Sequence, residues 1–358
     1  MTALAATPLR LRELEFANRI WVSPMCQYSA EDGHPGDWHL AHYGTLATGG
    51  AGLVIAEATA VVPEGRISPA DTGLWDDAHI ASWRRITDFA RAQGTPMGVQ
   101  LAHAGRKAST RVPWEGRGSI APEDGGWETV SARATAYDDW AAPREASVEE
   151  LDAIVRAFGQ AARRAVEAGF QTVEIHAAHG YLLHQFLSPL TNDRDDQYGG
   201  SLGNRMHLLD RVVGAVRRSI PASVPLLVRI SATDWAEGGI DEDDAVEIGW
   251  RLKSLGVDLV DVSTGALVPW QRIPVGPAYQ APFAAAVRKG AGIPTTSVGL
   301  IETAEQIEDL LRREVCDAVL LGRPMLRNPR LPLQLLGELG AEPAWRPQLE
   351  RAVPRRRG

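Results

Sequence analysis

Residues 147–176 read SVEELDAIVRAFGQAARRAVEAGFQTVEIH, and this stretch decides the fold. Ser147 stands where a helix needs a side-chain oxygen for its first free N–H groups. Residues 148–168 carry their apolar positions at helical spacing, which predicts an amphipathic helix with one face in a core. Gly169 then offers the left-handed conformation of a helix stop without steric cost. A few residues on, residues 173–176 form the short apolar run of a buried strand.

The same rhythm extends in both directions. Short β-rich apolar runs occupy residues 20–22, 53–56, 97–101, 173–176, 226–230, 259–263, 295–298 and 318–321. Amphipathic segments at 76–91, 204–220 and 241–255 lie between them, with Ser201 and Asp241 as further caps and Gly52, Gly94 and Gly256 ahead of strands. Eight strand-then-helix repeats within about 300 residues predict an α/β fold of the (β/α)₈ TIM-barrel type, whereas a doubly wound sheet more often has about five to seven strands. A Rossmann fingerprint needs glycines after a strand, but Gly49, Gly50 and Gly52 precede one and read as a helix stop. Residues 1–358 are therefore expected to form a single domain, with 105–147 inserted as a long loop after the third strand. That loop carries Trp114, Trp127 and Trp140, and loops of this length usually cover or line a site.

The chain has 358 residues, of which 44% are hydrophobic, enough for one large core. Thirty-seven basic against 45 acidic side chains give a net charge of −8, mixed along the chain except at Arg355, Arg356 and Arg357, which argues against a nucleic-acid partner. The stretch from Met1 to Leu14 lacks the pattern of a signal peptide, and no run reaches the roughly 18 apolar residues of a membrane span. A soluble, cytoplasmic protein with no membrane partner is expected. Cys26 and Cys316 are too few for a disulfide framework, a four-cysteine zinc site or an iron–sulfur cluster.

Barrel sites are built from strand C-termini and the loops that follow, so the polar residues there name the candidates. They are Ser23, Cys26 and Tyr28 after the first strand, Glu57 after the second, Gln100 and His103 at the third, and His176, His179 and Tyr181 at the fourth. Arg229, Ser263, Gly299 and the pair Gly322 and Arg323 follow in order. Gly299, Gly322 and Arg323 fall where barrels commonly bind phosphate on backbone N–H groups. The pair His176 and His179 reads as metal ligands, as donors to a substrate oxygen with Tyr181 as acid, or as satisfied loop residues. The strand-end spacing and the want of a third ligand favour the donors, with no metal. Arg229 needs an anion, either the charged edge of a reduced flavin or an internal carboxylate, Glu57 or Asp261. Gln100 suits the edge of a planar heterocycle. Cys26 is a small buried hydrophobe or a site residue.

Several of these residues sit in motifs of one family. They are NRI at 18–20, SPMCQY at 23–28, GVQLAHAGRK at 98–107, EIHAAHGYL at 174–182, NDR at 192–194 with Asp196, YGGS at 198–201, NR at 204–205 and GR at 322–323. The chain resembles the old yellow enzymes nearly end to end, in particular the thermophilic-like ene-reductase branch with its pseudomonad xenobiotic reductase and NADPH dehydrogenases. The resemblance implies FMN held by Ser23, Pro24, Met25, Cys26, Ala58, Gln100, Arg229, Gly299, Gly322 and Arg323. It implies NADPH or NADH as reductant and ping-pong reduction of the C=C bond of an enone, with nitro compounds or quinones as further substrates. His176 and His179 would hold the substrate oxygen, Tyr181 give the proton, Tyr28 touch substrate, and Cys26 tune the flavin. It also implies a homodimer or homotetramer in which Arg351 enters a neighbour's site, although Ala352 and Val353 depart from the expected pattern. The loop with Trp127 resembles that of the xenobiotic reductase. The YGGS run reads as a tight turn with Ser201 capping the next helix.

Overall fold

A computed structural model describes residues 2–353; the arginines at 355–357 lie outside the described residues. Eight parallel strands close into a barrel: β1 (Ile20–Val22), β2 (Leu53–Ala60), β3 (Met97–Ala102), β4 (Thr172–Ala177), β5 (Leu226–Ser231), β6 (Leu259–Ser263), β7 (Thr295–Ser297) and β8 (Ala318–Leu321). Each strand pairs with its sequence neighbours, and β8 returns to β1 through Val319, Leu320 and Leu321. The architecture is that of a (β/α)₈ TIM barrel. Among the described residues, no helix is long and apolar enough to cross a membrane.

The deciding stretch folds as its residues dictate. Ser147 Oγ accepts from Glu150 N at 3.2 Å while the Glu150 carboxylate accepts from Ser147 N at 2.8 Å, so the reciprocal cap opens the helix Val148–Glu167. Leu151, Ile154, Phe158, Ala161 and Ala165 recur on its buried face. Burying the larger of these side chains contributes about 1.5–3 kcal/mol each. Ser201 and Asp241 also cap, accepting from Asn204 N and Asp244 N.

The expected boundaries shift where local chemistry intervenes. The helix expected from residue 76 begins at His79, because Asp76 Oδ1 is taken by Ala78 N at 2.8 Å. The segment at 204–220 divides into Leu202–Arg205 and His207–Ser219. Gly50, not Gly52, adopts the left-handed turn, at φ +85°. Gly52 is instead a close-approach position, where a Cβ would stand 2.2 Å from Asn18 O.

One end of the barrel is closed, and the other carries the polar side chains. The hairpin Leu9–Leu11 and Leu14–Phe16 stoppers the N-terminal end, where Phe16 packs on Trp21 at 4.6 Å between ring centres with Leu53, Ile55, Leu227, Leu259 and Leu320. Charged and hydrogen-bonding side chains occur one layer higher, toward the strand C-termini. The long loop 105–147 is tied to its neighbours there. Trp127 Nε1 donates to Glu64 O at 2.7 Å, Thr110 N to Ile67 O at 2.8 Å, and Arg106 Nη2 to Leu267 O at 2.8 Å.

Candidate active site

The strand period of two aims Glu174 and His176 of β4 into the barrel, and the same alternation brings in Gln100, Arg229, Asp261 and Ser263. Gln100 Nε2 donates to Glu174 Oε1 at 2.7 Å. Arg229 Nε lies 2.9 Å from Asp261 Oδ2, and its Nη1 donates to Ser23 Oγ at 3.3 Å. Of the two internal carboxylates that the sequence offers Arg229, Asp261 is the partner. Glu57 does not meet Arg229 but braces the loop that carries Cys26 and Tyr28. The irregularity between Ala56 and Ala58 turns Glu57 outward, where Tyr43 Oη donates to Oε1 at 2.8 Å and Gln27 N to Oε2 at 2.9 Å. Burial raises its carboxyl to about 8. His103 likewise braces a loop, accepting at Nδ1 from Gly105 N at 3.1 Å.

Above this layer stand His176, His179 and Tyr181. The His176 ring is perpendicular to both neighbours, 5.1 Å from His179 and 4.9 Å from Tyr181 between centres. Burial first, and then the Arg229 charge, hold both imidazoles well below their ordinary pKa, so each is neutral with one N–H. Ala178 N donates to His176 Nδ1 at 3.3 Å, which leaves Nε2–H as the free donor. His179 Nε2 meets Ser263 Oγ at 2.7 Å. When Ser263 donates in that pair, Nδ1–H of His179 is free, and Thr264 Oγ1, at 2.8 Å, still supplies the Gln280 Oε1 that Ser263 would otherwise serve. Burial and the nearby Cys26 and Tyr28 push the Tyr181 hydroxyl well above its usual range, so it carries its proton. The turn holding Tyr181 requires Gly180, at φ +72° and with a Cβ position 2.4 Å from Ala266 O.

Cys26 and Tyr28 lie side by side, and burial keeps the thiol protonated. With Tyr181 and Trp127 they pack against a floor of small residues, Ala58, Ala102, Ala104 and Ala108. Trp114, 66% exposed, stands edge-on to Tyr28 at 6.1 Å. At the far side, Gly299 takes φ +107° with a Cβ position 2.6 Å from Gln280 Nε2, so only glycine lets the backbone lie open there. Gly322 precedes the short helix Arg323–Arg327, and Arg323 is exposed. Pro24 and Met25 line the turn out of β1.

These residues fit a flavin phosphate. Ala58, Ala102, Ala104 and Ala108 pack together below Cys26, Tyr28 and Tyr181, Glu174 Oε2 and Ser297 Oγ are buried without hydrogen-bond partners among the described residues, and Gly299 follows β7 with its backbone open. Among the described residues, no cluster of three or more His, Cys, Asp and Glu side chains is placed to hold a metal ion. Arg351 is exposed in the turn Pro347–Ala352. Arg346, in the same segment, donates to Thr95 Oγ1 at 3.2 Å, just ahead of β3 and opposite the mouth.

Lys107 and Gln280 were not singled out by sequence. Lys107 Nζ donates to His179 O at 3.0 Å and to Ala266 O, and lies 4.2 Å above the Tyr137 ring. Burial and neighbouring Arg106 lower its amine to about 7. The GRK end of the 98–107 motif was the available signal. Gln280 links Ser263 and Thr264 to Val298 O, beside Gly299, and had none.

Comparison with known proteins places this geometry. Residues 6–341 match the model of the NADH:flavin oxidoreductase / NADH oxidase family. An NADPH dehydrogenase of Listeria welshimeri is 47% identical over 89% of this chain and 90% of its own length, and one of Geobacillus thermodenitrificans is 46% identical over 96% of each. Morphinone reductase superposes with a TM-score of 0.81 at 28% identity, covering 97% of this chain and 93% of the other. An old yellow enzyme homologue from Zymomonas mobilis does so at 0.79 and 27%, covering 98% and 99%. With the barrel and these matches together, the chain belongs to the NADH:flavin oxidoreductase family of old yellow enzymes, as an NADPH dehydrogenase-type oxidoreductase with FMN as cofactor and a nicotinamide nucleotide as reductant.

Proposed function

We propose that the protein reduces the C=C bond of α,β-unsaturated carbonyl compounds by a ping-pong cycle, with nitro compounds and quinones as further acceptors. FMN, when bound, supplies the hydride chemistry. Ser23, Pro24, Met25, Cys26, Ala58, Gln100 and Arg229 are assigned to its ring system, and Gly299, Gly322 and Arg323 to its phosphate. His176 Nε2–H and His179 Nδ1–H donate to the substrate oxygen, stabilising the negative charge that develops there. Tyr181, protonated and perpendicular to His176, gives its proton to Cα. Tyr28 bounds the substrate, and Cys26 tunes the flavin as a neutral thiol. The observation that carries this reading is the His176, His179 and Tyr181 group, two neutral imidazoles and a protonated phenol, with the His176 ring 5.1 Å from His179 and 4.9 Å from Tyr181. The nicotinamide shares this pocket. The same reading has the protein as a homodimer or homotetramer, in which Arg351 serves a neighbouring mouth rather than its own.

Purified protein is expected to be yellow, to bleach with NADPH without oxygen, and to regain colour on adding a cyclic enone. Colourless protein, or bleached protein that the enone leaves bleached, would refute the reading. Tyr181→Phe is expected to slow recolouring by about 10²-fold or more while leaving NADPH bleaching unchanged, as for loss of a general acid. Stopped-flow measurement of the two half-reactions separates them, and an equal slowing of both would remove Tyr181 from proton transfer.

A further inference from the structure

The buried layer beneath the mouth contains one cation and two carboxyl groups. Arg229 from β5 is 5% exposed, Asp261 from β6 0% and Glu174 from β4 1%. Asp261 is the better-served carboxylate. Arg229 Nε stands 2.9 Å from Oδ2 as an ion pair, without the geometry of a hydrogen bond, and Thr296 Oγ1 from β7 donates to Oδ1 at 2.9 Å. Among the described residues, Glu174 receives only the neutral amide of Gln100 from β3, and its Oε2 has no hydrogen-bond partner. His176, two positions along the same strand, is neutral.

An ionised carboxylate oxygen buried without a donor costs several kcal/mol, whereas a carboxylic acid there carries no charge. The charge balance agrees. Arg229 with ionised Asp261 sums to zero, and ionising Glu174 as well would leave the layer at −1.

We propose that Glu174 is the proton store of the flavin site, a carboxylic acid in the resting protein that, wherever it has lost its proton, regains one when flavin reduction adds negative charge beside Arg229. This rests on the flavin reading above. Burial and the Asp261 charge raise the Glu174 carboxyl to about 8, in agreement. The balance is simple. NADPH gives up a hydride, becoming NADP⁺, and the flavin gains two electrons and one proton as a reduced anion. Below the Glu174 transition nothing else is taken up. Above it the carboxylate also binds one proton from solvent, because the new negative charge raises its proton affinity.

The test is the pH dependence of the flavin midpoint potential in the FMN-loaded protein, from about pH 6 to 10, in wild type and Glu174→Gln. Glutamine copies the shape of the protonated acid and keeps the bond to Gln100. Wild type is expected to pass from one proton per electron pair below about pH 8 to two above it, a doubling of slope, while Glu174→Gln stays at one throughout. Infrared difference spectra at high pH are expected to show a carboxylic-acid carbonyl band growing on reduction in wild type and absent from the variant. An unchanged wild-type slope without that band would overturn the proposal, whether or not the variant folds. Failure of the flavin reading itself would be visible beforehand as colourless protein, and the presence or absence of the acid band at neutral pH would still decide whether Glu174 stores a proton.

Discussion

Arg229→Met is expected to destabilise the protein by about 3–5 kcal/mol and to strip it of flavin. The guanidinium is the one cation in contact with Asp261 among the described residues, and both groups are buried. Methionine fills similar space but leaves Asp261 as an unpaired charge in a dry layer, the costly way to break a buried pair. Thr296 Oγ1 alone cannot offset that charge. Adding Asp261→Asn is expected to recover most of the loss, because the double variant removes both charges. Urea unfolding of Arg229→Met, Asp261→Asn, the double variant and wild type measures the coupling, and flavin content after gel filtration gives the second readout. A cost below about 1 kcal/mol for Arg229→Met, with no recovery in the double variant, would mean that Asp261 is not the charged partner.

The second large effect concerns the substrate oxygen. His176→Ala and His179→Ala are each expected to slow enone-driven recolouring by about 10²–10³-fold, the usual loss when one preorganised donor to a developing oxyanion is removed. The double variant is expected to lose much less than the product of the two, since both donors serve one atom. The pH profile adds a discriminating sign. Both imidazoles titrate well below their ordinary range, because burial and Arg229 disfavour the cation. Wild-type recolouring should therefore show no histidine transition near about 6.5, the ordinary value. A rate that fell as pH dropped through that region would show solvated histidines and a different donor geometry.

The reading of the barrel from sequence worked because strand and helix periodicity are local properties. The capped helix Val148–Glu167, Gly169 and strand Thr172–Ala177 each carry their signal within a few residues. The strand-end rule likewise brought Ser23, Gln100, His176, His179, Tyr181, Arg229 and Gly299 to one end of the barrel. It misplaced Glu57 because the rule assumes regular alternation, and the irregularity between Ala56 and Ala58 breaks it. It passed over Gln280, which lies at a helix start, because a tie between β6 and β7 loops depends on how two strands are staggered.

By itself the sequence determined the strand–helix order, the end of the barrel that carries the polar residues, and the family through its motifs. These follow from periodicity, caps and contiguous residue types, all of which operate within short stretches of chain. Only the tertiary structure decided that Asp261 rather than Glu57 holds Arg229, which ring nitrogens of His176 and His179 remain free, and that Glu174 Oε2 has no hydrogen-bond partner among the described residues. Those facts arise between strands far apart in sequence. Barrel closure sets which side chains meet, and the low-dielectric layer it creates decides which of them keep a charge.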